Sequence, residues 1–149
     1  MNLKLNLGSE LSKILGNLSW DFKALVDTKN KLTPIPKEAK VVTAILEDVS
    51  VKIIQKWAKP NSITTILPSN EREYPDITLE SPSIGGTIAL DIKTGRRKST
   101  TSIGKLTLGS YGGYFRNPST KMNGCRIPYG NFNEHWVVAF IYDWDPTKS

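Results

Sequence analysis

Two residues with the right chemistry for a metal-dependent reaction share one face of a predicted β-strand. Within Thr87–Lys93, apolar side chains alternate with Ala89, Asp91 and Lys93. Because side chains in a strand point to opposite faces with a period of two, Asp91 and Lys93 should lie together on the face opposite the apolar residues. This pattern predicts a carboxylate and an amine side by side on a half-buried strand.

A second carboxylate should face them from a neighbouring strand. The extended run Asp76–Glu80 lies just upstream, and a segment rich in serine, proline and glycine separates the two runs. Such residues favour a turn, so the runs predict an antiparallel hairpin. If Glu80 pairs with Thr87, the register sets Asp76 opposite Asp91.

Directly opposed strand residues have Cβ atoms roughly 4.5–5.5 Å apart. Two carboxylates at that distance repel each other unless a cation lies between them, and hard oxygen ligands of this kind suit Mg²⁺. Lys93, one strand step from Asp91, could then stabilise an anion held at the ion. The alternative is ordinary: a lysine two residues after an aspartate on a strand also forms weak surface ion pairs.

Composition narrows the class of protein only partly. The chain has 149 residues, which is the size of one domain with a substantial core. Its net charge of +6 fits an anionic partner but does not decide between nucleic acid and a membrane surface. Cys125 is the only cysteine, so no internal disulfide can form, and a reducing cytoplasm is expected. We find no signal peptide and no apolar run long enough to span a bilayer.

The first third of the chain predicts a helix, a hairpin and a second helix. Leucine and isoleucine recur at helical spacing over Leu7–Leu18, with Ser9 as a cap, which predicts a helix of roughly 15 residues. Trp20–Ile35 reads as a two-stranded ribbon around a turn; such a ribbon is marginal alone and needs a partner. Pro36–Trp57 is the longest helical pattern, and Glu47 flanks its apolar stripe. The stripe consists of Val42, Leu46, Val49, Ile53 and Trp57.

The remaining segments carry weaker signals. Asn61–Glu73 reads as a loop with a short extended run, and Ile103–Asn133 reads as an irregular connection whose aromatic and basic residues could follow a phosphate backbone. The apolar run His135–Trp144 predicts a buried central strand. His135 is the only histidine, so zinc sites and serine-histidine catalysis are unsupported.

The aspartates and the lysine resemble a known nuclease signature. Pro75-Asp76 followed by Asp91-Ile92-Lys93 is similar to the PD-(D/E)xK motif, which alone is weakly specific. Five blocks together resemble one family of type II restriction endonucleases, in the same order and at nearly the same spacing, over the chain as far as about Tyr142. These blocks are Tyr74–Leu79, Ile88–Thr94, Thr107–Tyr111, Phe115–Asn117 and His135–Trp136.

The resemblance implies an α/β fold: a restriction-endonuclease-like core in which helices flank a mixed β-sheet, with an N-terminal helix and β-hairpin. It implies one nuclease domain over residues 1–149, with the helix and a dimerisation hairpin in 1–35 and the catalytic core in 36–144. The base-reading segment of the family follows the counterpart of Tyr142. We therefore expect a C-terminally truncated or naturally short relative, whose recognition sequence the chain does not reveal.

The resemblance also implies an activity, which is Mg²⁺-dependent hydrolysis of phosphodiester bonds in double-stranded DNA by a type II restriction endonuclease. Asp76, Asp91, Lys93 and Glu47 would be catalytic. Asp76, Asp91, Glu47 and the backbone carbonyl of Ile92 would hold Mg²⁺. A homodimer would supply two active sites for the two strands, and a cognate DNA methyltransferase would belong to the same system.

Several further residues are expected at the DNA. Arg72, in a charged loop, suits a narrow and negative minor groove. The expected DNA-binding residues are Lys40, Asn70, Arg72, Thr94, Thr107, Arg116 and Lys121. Two other functions stay open: a PD-(D/E)xK nuclease of repair or another role, and a truncated relative that binds DNA without cutting it.

Overall fold

The fold is a mixed β-sheet with helices packed against it, which confirms the predicted α/β class. The structure, a computed structural model, describes residues 5–17, 20, 24–36, 38–106 and 113–143. The elements in chain order are α1 Leu7–Gly16, β1 Ala24–Val26, β2 Leu32–Pro34, α2 Ala39–Ala58, β3 Thr64–Ile66, β4 Ile77–Ser81, β5 Gly86–Ser99, β6 Ser102–Ile103, α3 Gly113–Arg116 and β7 Glu134–Tyr142.

Strand β5 organises the main sheet. It pairs antiparallel with β4, which pairs antiparallel with β3, and β7 runs parallel to β5 on the other side. The last residues of β5 continue into a narrow hairpin with β6. Strands β1 and β2 form a separate two-stranded ribbon. The sheet therefore combines both strand directions, as the family resemblance implied.

The predicted register of the β4–β5 hairpin is confirmed. Glu80 pairs with Thr87 and Ile77 pairs with Leu90, and the same register continued by one residue sets Asp76 opposite Asp91. A short 3-10 turn, Pro82–Ile84, makes the connection. It ends at Gly85, whose φ of 94° lies in the left-handed region that glycine adopts without a steric penalty.

The core lies between α1, α2 and one face of the sheet. Alternate residues of β4 and β5 point into it, as the period-two pattern predicts, and Ile77 and Leu90 are fully buried. The remaining members of the core come from the same two strands, from both helices and from the neighbouring connections. They are Leu7, Leu11, Leu15, Ile54, Ala58, Ile63, Leu79, Ile84 and Ile88.

Helix α1 is shorter than predicted and begins differently. It covers 10 residues, and its cap is Asn6, whose side-chain oxygen accepts a hydrogen bond from the Ser9 backbone N–H at 3.0 Å. Ser9 was therefore the wrong cap, because asparagine three residues earlier satisfies the free N–H group that Ser9 itself presents. Leu18, the predicted end of the pattern, lies outside the described residues.

Helix α2 starts at Ala39, three residues after the predicted Pro36, because Glu38 is still extended. Its fully buried line is Leu46, Ser50, Ile54 and Ala58, whereas the predicted stripe shared only Leu46 with it. The prediction assumed that the largest apolar residues would be the most buried. The helix instead lies closest to the core at the small side chains of Ser50 and Ala58, which let it pack tightly.

Two further expectations concern exposed surfaces. The β1–β2 ribbon forms where predicted, with Val26 and Leu32 61% and 66% exposed.

Strand β7 is not a buried central strand: exposed and partly buried side chains alternate along it, and Val137 is 45% exposed. Only the face carrying Trp136 and Phe140 packs on the core, so an unbroken apolar run was a misleading signal of burial. Among the described residues, no helix has the length and apolar character needed to cross a bilayer.

Candidate active site

The Lys93 ammonium lies among the oxygen atoms that are predicted to bind a metal. Its ammonium contacts a carboxylate oxygen of Asp91 and lies 3.9 Å from Asp76 Oδ2. It also donates a hydrogen bond of 3.3 Å to the backbone carbonyl of Ile92. Asp91 is only 7% exposed, and the Lys93 side chain only 22%. In this arrangement the lysine ammonium occupies the position of a cation shared by two carboxylates and a carbonyl.

Asp76 is held in an environment that disfavours its charge. Burial, and secondarily the nearby Asp91 carboxylate, raise the pKa of Asp76 from 3.8 to about 7. The Ile92 backbone N–H, which donates to Asp76 Oδ2 at 2.5 Å, and the Lys93 ammonium oppose this rise. Two carboxylates in one partly desolvated site cannot both ionise at low cost without a strong positive charge between them.

Helix α2 contributes the third acid. The Thr43 and Thr94 hydroxyls share a hydrogen bond of 2.6 Å, which fastens this helix to β5 directly beside Lys93. Glu47 lies one helical turn after Thr43 and Lys40 one turn before it. Burial is the main cause that raises the pKa of Glu47; the charge of Lys93 lowers it, and neighbouring acids raise it. Glu47 is therefore close enough to Lys93 and Asp91 for their charges to act on it. We call Asp76, Asp91 and Glu47 the acidic cluster, although these three side chains do not form one compact metal-binding group.

The donor set fits a hard divalent cation. Asp76 and Asp91 offer carboxylate oxygens and Ile92 a carbonyl oxygen, which are the ligand types that Mg²⁺ prefers, with water completing its shell. Among the described residues, no three histidine, cysteine, aspartate or glutamate side chains form a compact metal-binding group. A site with two carboxylates and one carbonyl does not require such a group, because Mg²⁺ keeps several waters.

The predicted DNA-contacting residues divide into two sets. Thr94 directly follows Lys93 on β5 and is partly buried, whereas Lys40 is exposed in the first turn of α2. Asn70 and Arg72 lie together in the exposed loop after β3, where the Arg72 N–H donates to the Asn70 side chain at 3.0 Å. Arg116 and Lys121 are exposed at and after α3. No hydrogen bond or ion pair of the described residues joins these last four to Asp76, Asp91 or Glu47, although the charge of Glu71, between Asn70 and Arg72, raises the pKa of Glu47. Thr107 lies outside the described residues.

An aromatic cluster beside Asp76 was not anticipated. The Tyr74 hydroxyl and His135 Nδ1 are hydrogen-bonded at 2.8 Å, and His135 stacks on Tyr129 with 3.8 Å between ring centroids. Tyr114 also stacks on Tyr74. Desolvation raises the pKa of Tyr74 and lowers that of His135, which favours the neutral imidazole. The cluster packs around Tyr74 and so supports the segment that precedes Asp76. Its members are far apart in sequence, so only the frequency of tyrosine hinted at it.

Cys125 is a free thiol, as expected of the only cysteine in the chain, and it is buried. Burial raises its pKa, which keeps the thiol protonated and unreactive. It pairs as an isolated bridge with Tyr74, and the Arg126 backbone N–H donates to the Tyr74 carbonyl at 3.0 Å. This cysteine therefore belongs to the support of the site rather than to its chemistry.

Comparison with known proteins now identifies the family. The family model described as restriction endonuclease EcoRV matches residues 16–149, nine-tenths of the chain and the whole acidic cluster. The chain belongs to the EcoRV restriction endonuclease family. The type II restriction enzyme EcoRV of Escherichia coli is 30% identical over 127 residues, which are 85% of this chain and 51% of that enzyme. This EcoRV family member thus spans about half the length of the relative that it matches.

Proposed function

We propose that this chain carries the catalytic centre of a Mg²⁺-dependent type II restriction endonuclease that hydrolyses phosphodiester bonds in double-stranded DNA. The observation that carries the proposal is the convergence of Asp76, Asp91 and the Ile92 carbonyl on one cation position, which the Lys93 ammonium fills. Membership of the EcoRV family supports the same chemistry.

The residues divide the work of phosphodiester hydrolysis. Asp76, Asp91 and the Ile92 carbonyl would hold Mg²⁺, and Glu47 would hold a second ion. Bound Mg²⁺ would stabilise charge on the phosphate and lower the pKa of an attacking water. Lys93 would leave its contacts with the carboxylates and turn towards the phosphate, where its charge stabilises the phosphorane or orients the water.

The residues on α2 and β5 would position the DNA. Thr94 shares a hydrogen bond with the Thr43 hydroxyl, and Lys40 lies one helical turn before Thr43. Both would bind phosphates next to the scissile bond. Such contacts orient the backbone but carry no direct sequence information. The residues that read the recognition sequence are therefore not assigned.

A homodimer is part of the proposal. The β1–β2 ribbon pairs with no other described strand, and Leu25, Val26 and Leu32 expose large apolar side chains on it. A two-stranded ribbon with such a surface is marginal in water unless something covers it. A second copy of the ribbon would cover it and would supply the second active site for the other DNA strand. A cognate DNA methyltransferase would protect the host sites.

The decisive experiment replaces Asp91 with asparagine, which keeps the shape of the side chain and removes its charge. Plasmid DNA is incubated with Mg²⁺ and each protein. Asp48→Asn serves as the matched control because Asp48 is 61% exposed on α2 and its carboxylate pairs with Lys52 rather than with Lys93. We expect Asp91→Asn to lose cleavage and Asp48→Asn to keep it.

The same digests separate the alternatives. Cleavage by Asp91→Asn at the parental rate would show that the site is wrongly assigned. Metal-dependent cutting without discrete fragments would favour a nuclease of repair or another role. Binding of duplex DNA by the parent with no cleavage would favour the silent relative.

A further inference from the structure

The hairpin beyond the acidic cluster concentrates positive charge on an exposed surface. We call the segment Arg96–Lys105 the basic ribbon; it contains the end of β5, a turn and β6. It carries four cations and no carboxylate, namely Arg96, Arg97, Lys98 and Lys105. All four are exposed. They supply a large part of the chain's net charge of +6.

Most of this charge is uncompensated. Within the described residues, Arg97 forms an ion pair with Asp143 at 3.2 Å, whereas Arg96, Lys98 and Lys105 have no carboxylate partner. The pair with Asp143 is itself exposed, 41% and 71% for the two side chains, so water and salt weaken it. A phosphate that binds to the basic ribbon would therefore have to displace only the weakly held Asp143 carboxylate.

The turn of the basic ribbon is rich in hydroxyl groups rather than apolar side chains. Ser99, Thr100, Thr101 and Ser102 are consecutive and exposed. Hydroxyls and backbone N–H groups are common donors to phosphate oxygens. A hairpin with this composition buries little apolar surface, so its own packing does not account for it.

The base of the basic ribbon is fixed to the sheet. A Cβ atom at Gly95 would lie 3.1 Å from Leu106 and 3.3 Å from Ile141, so the glycine allows both side chains to close over the strand. The Gly104 backbone N–H donates to the Arg96 carbonyl at 2.8 Å. Arg96, Arg97 and Lys98 therefore extend from a hydrogen-bonded strand, and Lys105 follows β6.

Strand β5 relates the basic ribbon to the active site. Side chains two apart share a face, so Arg97 lies on the face of Asp91 and Lys93, and Arg96 lies on the face of Thr94. Arg97 lies four residues after Lys93, and Lys98 lies four residues after Thr94, which is a rise of about 13 Å in each case. This length matches the rise of about four base pairs along the DNA axis.

We propose that the basic ribbon is a second DNA-backbone contact surface, which binds phosphates some base pairs away from the bond that is cut. The proposal rests on the proposed function in one respect, because it takes duplex DNA as the ligand. It adds residues outside the acidic cluster and assigns them to affinity rather than to chemistry.

The test measures how the affinity for a fluorescein-labelled duplex of mixed sequence depends on salt, without divalent metal, for the full chain. Each phosphate contact contributes about 0.9 to the slope of log K against log salt, so the double variant Arg96→Gln, Lys98→Gln should lower the slope by about 1.8. At about 0.1 M salt its affinity should fall roughly 10- to 60-fold.

Two matched variants make the result specific. Lys56→Gln with Lys59→Gln removes the same charge from exposed residues at the far end of α2, and its slope should stay at the parental value. Arg96→Lys with Lys98→Arg keeps the charge and should also keep the slope. Circular dichroism of each variant checks that the fold is intact.

The outcomes separate this proposal from the proposed function. A ribbon variant with the parental slope overturns the proposal, as does an equal loss in the α2 control, which would reduce the effect to net charge. If the double variant has a smaller salt slope but the parent never cleaves DNA with Mg²⁺, the phosphate-binding role of the basic ribbon is supported and the proposed function is wrong. A parent that binds no duplex overturns both.

Discussion

Replacing Asp76 with asparagine should stabilise the metal-free protein at pH 8 and remove its stabilisation by Mg²⁺. The pKa of Asp76 is raised to about 7 in the folded state by burial and by Asp91, from an ordinary value of 3.8. A tenfold change in proton affinity is worth about 1.4 kcal/mol, so ionising Asp76 in the fold costs on the order of 4 kcal/mol. Asparagine avoids that cost.

The sign of the pH dependence follows from proton linkage. Between pH 4 and 7 the folded state binds more protons at Asp76 than the unfolded state does, so the free energy of unfolding falls as the pH rises through this window. The asparagine variant has no such proton and should lose this decline. Its amide still offers an oxygen to the Ile92 N–H, but an unsatisfied buried amide N–H costs about 1–3 kcal/mol. We therefore expect a net gain of about 2 kcal/mol at pH 8.

Urea unfolding at pH 5 and pH 8, with EDTA or with Mg²⁺, measures these quantities. At about 100 times its dissociation constant, Mg²⁺ should raise the free energy of unfolding of the parent by about 2.7 kcal/mol and that of Asp76→Asn far less. The control Asp48→Asn loses an exposed pair with Lys52 and should change by no more than about 0.5 kcal/mol. The electrostatic account of this site is wrong if Asp76→Asn is no more stable than the parent at pH 8 in EDTA. It is also wrong if the free energy of unfolding of the variant falls as much between pH 5 and pH 8 as that of the parent.

Two further predictions concern Lys93 and the β1–β2 ribbon. Lys93→Ala should lower the single-turnover cleavage rate by about 10²-fold or more while changing DNA affinity far less, because it removes one electrostatic stabiliser among many phosphate-binding cations; an unchanged rate with weaker binding would make Lys93 a simple phosphate contact. Lys residues in place of Val26 and Leu32 should convert a dimer to a monomer with an unchanged far-UV spectrum, because both apolar side chains are exposed in a single copy; sedimentation of the parent as a monomer would contradict the proposed interface.

The sequence by itself determined the local geometry of the acidic cluster. The β4–β5 register followed from two extended runs and a turn-forming segment between them, and it set Asp76 opposite Asp91. This succeeds because strand alternation and hairpin pairing are backbone properties that act over a few residues. The period of two likewise put Asp91 and Lys93 on one face, where they are in contact.

The sequence predicted the helix boundaries and the buried residues only in part. Asn6 rather than Ser9 caps α1, and Ser50 and Ala58 rather than larger residues lie where α2 packs most closely. Such choices depend on which neighbour each helix meets, and hydrophobicity alone does not encode the distance of approach. Strand β7 showed the same limit, since its apolar residues occupy two faces of which one is exposed.

The tertiary structure decided the electrostatics of the site. Glu47 reaches the cluster because the Thr43 and Thr94 hydroxyls, 51 residues apart, hold α2 against β5. The raised pKa of Asp76 comes first from burial, which exists only after distant segments have packed around it. Residue types and spacing specify which groups can act, but the free energy of charging a carboxylate depends on how much water the whole fold removes from it.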